Sequence, residues 1–214
     1  MANSSYGLIG PTIGADNTVQ QVRMDKQGAQ IMSNLHAPFY EQTYRGNVFS
    51  LSVATAAAIT AFTGGAAGTP QIALWNPSGS GRNAVIISAN YGNAVAASAA
   101  GTVAWGLYFG QTAAITQATT TAPTSMVTLA TGGSVMTGFR NVALTSSTAL
   151  SNVIPIGSYY WATAAGAALV TSAGEVELKG KLIIPPGAVV ALGGSSALTS
   201  ATWIGSLVWE EVPL

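Results

Sequence analysis

With one histidine and no cysteine among its 214 residues, the chain has few side chains able to do chemistry. His36, inside "SNLHAPFY", is the one group suited to acid-base work near neutral pH. A serine nucleophile beside it would call for a Gly-x-Ser-x-Gly turn, and none is present, so His36 reads as a structural loop residue. The close acidic pairs are Glu175/Glu177 and Glu210/Glu211. On a strand the first pair shares a face with Lys179, the pattern of a surface ladder, whereas adjacent Glu210 and Glu211 point to opposite faces and chelate poorly. "NPSGSGRN", from Asn76, lacks the Lys-Ser/Thr ending of a phosphate loop and opens into a strand pattern, so it reads as a tight hairpin loop. Five tryptophans remain: Trp75, Trp105, Trp161, Trp203 and Trp209. They suit a sugar-stacking platform in principle, but at strand positions they are read as core or interface anchors. No catalytic residue, metal site or cofactor follows from these groups.

The elements that must position them are strands. "QIALW", "RNAVIISANY", "TVAWGLYFG", "TSMVTLA", "SNVIPIG", "EVELKGKLIIP", "AVVAL" and "ATWIGSLVWEEV" are apolar or alternating runs separated by Gly, Pro, Asn and Ser. About eight strands with turn signals between them predict an antiparallel all-β sandwich or barrel. Ala-rich stretches such as "YYWATAAGAALV" have no capped amphipathic stripe and leave room for one or two helical turns at most. Charge divides the chain: Asp16, Arg23, Asp25, Lys26, Glu41 and Arg45 fall in the first 47 residues, while Arg140 is the sole charge between Asn83 and Gly174. Residues 1–47 therefore read as an extended N-terminal arm and residues 48–214 as the sandwich body. In the arm, "VQQVRMDKQGAQIMS" predicts a hairpin whose turn starts at Asp25 and ends at Gly28. "APFYEQTYRGNVFSLSV" reads as an extended lead into the body.

Composition narrows the partners. Charged residues make up 7% of the chain, its net charge is zero, and 49% of it is hydrophobic, with a mean hydropathy of +0.40. A compact monomer of 21.5 kDa exposes roughly 9,000 Å², or about 650 Å² for each charged side chain. So thin a charge cover favours a surface shared with other subunits. The scattered bases give no footprint for nucleic acid or an anionic membrane. The apolar runs are too short for a transmembrane helix, and the opening "MANSSYGLIG" has no secretory-signal pattern, so assembly in the cytoplasm is expected.

The strand pattern, the segment "KLIIPPGAVVALGG", the closing "SLVWEEVPL" and the arm element "VRMDKQGAQIMS" together resemble small jelly-roll virion proteins of tailed bacteriophages, the class that decorates or cements capsids. The resemblance implies a jelly-roll β-sandwich, assembled as a homotrimer on the capsid surface in the host bacterial cytoplasm. Its partners would be further copies of itself and the major capsid protein or other virion proteins, without direct nucleic-acid or membrane contact. A fibre-tip or carbohydrate-binding module for host attachment is the alternative. On either reading Pro185, Pro186 and Gly187 form a rigid corner, since the prolines give no N–H to a ladder and the glycine accepts a positive φ.

Overall fold

A computed structural model describes residues 37–59, 72–95, 101–110, 120–140, 151–161, 173–194 and 198–214. The chain divides into two compact units, Met1–Tyr40 and Glu41–Leu214, and every described strand belongs to the second. The predicted hairpin at Asp25 and Gly28, and His36, lie outside the described residues.

One short helix, α1 (Tyr40–Tyr44), stands where the sequence pattern suggested extended chain. Its local cause is an i,i+4 pair, Arg45 with Glu41, joined at 2.6 Å. Among the described residues eleven strands follow: β1 (Val48–Ile59), β2 (Ile72–Trp75), β3 (Arg82–Val95), β4 (Gly101–Phe109), β5 (Thr120–Thr121), β6 (Thr124–Ser125), β7 (Thr137–Arg140), β8 (Ser151–Trp161), β9 (Ala173–Ile184), β10 (Val189–Gly194) and β11 (Leu198–Pro213). The number exceeds the expected eight or so because the lead into the body forms β1, and the short β5 and β7 lie between β4 and β8. "TSMVTLA" forms no full strand: only Thr124 and Ser125 pair, and Ser125 then accepts from Leu129 and donates to Ala130 in a compact turn.

The strands make two antiparallel sheets in the orders β6-β1-β11-β3-β9 and β5-β7-β2-β10-β4-β8. Four of the pairings nest within one another: β1 with β11, β2 with β10, β3 with β9, and β4 with β8. Pairing of β11 with β3 and of β10 with β4 then closes each sheet. The inner faces share one core drawn from both sheets, including Leu51, Leu74, Ile86, Trp105, Leu192, Trp203, Leu207 and Trp209. The sheets come so close at Gly205 that a Cβ there would lie 3.0 Å from Ile72 and 3.2 Å from Leu192. A larger residue there would require the Ile72 and Leu192 side chains to give way.

Alternation and its breaks explain the faces. On β11, Trp203, Gly205, Leu207, Trp209 and Glu211 point inward while Ile204, Ser206, Val208 and Glu210 point outward. β3 begins with Ala84 and Ile86 inward, then reverses parity so that Ala89 and Tyr91 are inward, because Ile87 is an extra residue against β11. The six-stranded sheet behaves differently. Its second face buries Ala73, Trp75, Tyr108, Phe139, Val189 and Ala191, so β2 and β10 are apolar at successive positions. Unbroken apolar runs are what a strand buried on both faces requires.

Candidate assembly surface

The groups singled out for chemistry are dispersed. Glu175, Glu177, Lys179 and Lys181 line the exposed face of β9, with Lys179 Nζ 2.8 Å from Glu177 Oε2. The hydrogen bond to Glu177 raises the Lys179 pKa, as a surface ladder requires. Glu210 and Glu211 do part to opposite faces. Glu210 sits half-covered on the outer face, where burial raises its carboxyl pKa. Among the described residues, no three His, Cys, Asp or Glu side chains converge as metal ligands. None of the helices there is long and apolar enough to cross a membrane.

"NPSGSGRN" joins β2 to β3, which lie in different sheets, so it is a crossover and not the hairpin loop expected. Gly187 likewise turns the chain from β9 in one sheet to β10 in the other. Ala188 N–H donates to Pro185 O at 3.1 Å, and Gly187 has φ 84°, which makes a type II turn with Pro186 and Gly187 at its centre. The two crossovers are bound together by Asn76, fully buried. Its N–H donates to Ala188 O at 2.9 Å and its carbonyl accepts from Gly187 N–H at 2.8 Å. Its side-chain amide donates to Arg82 O and Ile184 O, both at 2.8 Å. Gly187→Val is expected to cost at least about 2 kcal/mol, because a β-branched residue is strained at positive φ. Guanidinium unfolding checks it, and an unmoved midpoint would contradict the turn.

For the tryptophans, burial decides between the two expected roles, core and interface anchor. Trp105, Trp203 and Trp209 have no solvent exposure and fill the space between the sheets, so they cannot anchor a subunit interface or stack on a sugar. Trp209 stacks on Phe49 at 6.2 Å between ring centroids. Trp75 is buried in the second apolar cluster. Trp161 closes β8, and its side chain lies outside the described residues. Sequence reading treats buried and displayed tryptophans alike, since both sit in apolar strand patterns.

Also in the second cluster is Tyr108, whose burial pushes the phenol up to about 12 from 10.0. The folded protein therefore holds its proton where an unfolded chain releases it, and Tyr108 favours folding fully below pH 10. That contribution drains away as pH rises from 10 toward 12. Tyr108→Phe is expected to flatten the fall in stability across this window. Melting curves at stepped alkaline pH test it, and identical slopes for the two proteins would refute the assignment.

Glu211 closes one end of the sandwich. Its side chain is fully buried and accepts from Ser134 Oγ at 2.5 Å, the Val135 N–H at 3.3 Å and the Trp209 indole at 3.5 Å. Arg82 lies 3.6 Å away with its own side chain 37% exposed. The backbone N–H of Glu211 also donates to Asn47 O at 2.8 Å. With no imidazole or thiol among these partners, the cluster is a polar clamp joining β11, the start of β3 and the segment before β7.

The clamp supports an apolar surface that sequence reading missed. Met126 N–H donates to Val48 O, and Val127 lies beside Gly46, so the turn after β6 packs at this same end. It exposes Met126, Val127 and Leu129, the last 75% exposed, alongside Val135 and, from α1, Tyr44. Leu129 has φ 58°, a costly conformation for a non-glycine residue that holds its side chain out into water. "TSMVTLA" carried the composition of this surface, but its apolar content suggested a strand. No protein family, curated protein or solved structure matches the chain.

Proposed function

We propose that the chain is a non-enzymatic structural protein of a bacteriophage particle, a trimeric jelly roll that decorates and cements the capsid. The observation that carries this reading is the nested strand order. Setting aside β5, β6 and β7, first pairs with last through to the innermost pair: β1·β11, β2·β10, β3·β9 and β4·β8. This is the order produced when one long antiparallel hairpin is rolled into two sheets, the arrangement of jelly rolls in viral shells. Lectin domains share that architecture, so the fold alone does not assign the role.

Further support comes from the surface. The exposed Tyr44, Met126, Val127, Leu129 and Val135 are apolar groups at one end of the sandwich, with the charged pair Arg45–Glu41 beside Tyr44. Burying such a group against a neighbour carries little charge-desolvation cost. The major capsid protein, or another virion protein, is the partner in this reading, with assembly in the host bacterial cytoplasm and the capsid surface as destination. Burial of Trp75, Trp105, Trp203 and Trp209 takes four of the five tryptophans away from the sugar-binding alternative, and the side chain of the fifth, Trp161, lies outside the described residues.

Co-sedimentation with purified particles tests the decoration role. The protein is expected to pellet with shells, and Leu129→Asp to weaken that binding at least roughly tenfold, as loss of one buried anchor does at other interfaces. Failure of the parent protein to pellet would end the decoration reading. Light scattering tests the trimer separately.

A further inference from the structure

The two sheets end in four edge strands of unequal character. β5 and β6 have two residues each and offer little to pair with. β9 is long, but it displays Glu175, Glu177, Lys179 and Lys181 and is broken by a bulge: residues 178–181 stand opposite Ile87 alone, with Lys179 at φ 48°. Charges and bulges are the usual devices that keep an edge from pairing with another chain. β8 has 11 residues and no charge, and among the described residues its one partner is β4.

Within β8 the two halves differ. Near Pro155 the register against β4 slips between Trp105 and Gly106, and proline supplies no N–H, so that half is poorly fitted to extend the sheet. From Gly157 to Trp161 the pairing is regular, five consecutive residues against Trp105 back to Gly101. The outer backbone edge of such a strand recognises an extended strand through its alternating N–H and C=O groups.

We propose that Gly157–Trp161 pairs antiparallel with the same segment of a second copy, extending the six-stranded sheet across a two-fold axis near Tyr159. The choice of occupant follows from charge. Antiparallel pairing about a two-fold axis sets each residue of an edge against its mirror position; on β9 this would draw exposed glutamates and lysines out of water along a bulged edge, whereas β8 has no charge to desolvate. Among the described residues no other edge is both long and uncharged, so the proposed pairing between copies uses β8 on both sides. Centring on Tyr159 sets the Cα of Gly157 opposite Trp161 and of Ser158 opposite Tyr160 of the second copy. The contact does not depend on the virion reading: alone it makes dimers, and combined with a trimer it makes six copies of dihedral symmetry.

The absence of native cysteine makes the test direct, since a single introduced thiol can cross-link only to another copy. Full-length Tyr159→Cys under mild oxidation is expected to give a disulfide-linked dimer in much higher yield than Lys179→Cys on β9. Ser158→Cys mixed with Tyr160→Cys is expected to give the heterodimer in preference to either homodimer, which keeps the test independent of changes at Tyr159. Cross-linking that is absent across β8, or no stronger there than at Lys179→Cys, overturns the pairing. Adjacent residues of a strand send their N–H groups to opposite sides, so of Ser158→Pro and Tyr159→Pro one blocks the ladder to β4 and the other blocks only the outer edge. The second is expected to keep the near-ultraviolet signature of the folded tryptophans while losing the dimer in light scattering. A mass of one or three copies for the unmodified protein at cross-linking concentrations, or two proline variants that both fold and both remain paired, would also overturn it.

Discussion

Glu211→Ala is expected to lower folding stability by about 3 kcal/mol or more, since donors left without an acceptor in a closed site cost about 1–3 kcal/mol each. The change takes away the acceptor for Ser134 Oγ, the Val135 N–H and the Trp209 indole, and withdraws the charge beside Arg82. Arg82 is partly in water and recovers by solvation, so most of the loss comes from the donors left without an acceptor in a closed site. Glu211→Gln keeps the shape but turns one acceptor into a donor facing donors, and is expected to fall between the parent and the alanine variant. Guanidinium unfolding followed by tryptophan fluorescence measures both. Because Trp209 touches the clamp and stacks on Phe49, its emission should report the change before global unfolding. Parental stability for both variants would show the cluster to be incidental.

The second large effect is at Asn76. Asn76→Ala removes the amide that donates to Arg82 O and Ile184 O while leaving the backbone bonds to Ala188 and Gly187 intact. Arg82 O keeps a bond from Ser80 Oγ, so the exposed deficit is chiefly at Ile184 O in the buried interior. A lost buried donor and the space it filled together are expected to cost about 2–4 kcal/mol. Asn76 and Gly187 stabilise one junction, so Asn76→Ala combined with Gly187→Val should cost less than their separate effects added together. Strict additivity in that double-mutant cycle would mean the two crossovers are independent, against the geometry described.

How much of this was legible differs from element to element, for identifiable reasons. The closing strand reads correctly because "TWIGSLVWEEV" alternates, and alternation is the mark of a sheet with one face on a core. "IALW" and "AVVAL" were recognisable as strands, but burial on both faces erases the parity that would show which residues line the core. "TSMVTLA" misled, because an exposed apolar turn and a buried strand have the same composition. "APFYEQTY" misled in the other direction: its aromatics suggested extension, while an i,i+4 ion pair favoured a helical turn.

By itself the sequence determined the class of structure, the absence of thiol chemistry, the sparse and neutral charge, and the corner at Pro185–Gly187. These rest on local properties: side-chain periodicity, ionisable groups and backbone dihedral limits are set by each residue and its neighbours. Only the tertiary structure decided that Trp105, Trp203 and Trp209 are core, that Asn76 joins two crossovers and that Glu211 is a buried clamp. It also decided that β8, unlike β9, is an uncharged edge. Each depends on which distant segment lies alongside. Asn76 and Ile184 are 108 residues apart, and Ser134 and Glu211 are 77 apart, so no local pattern encodes their meeting. Long-range pairing of strands brings them together, and that pairing is a property of the folded sheets as a whole.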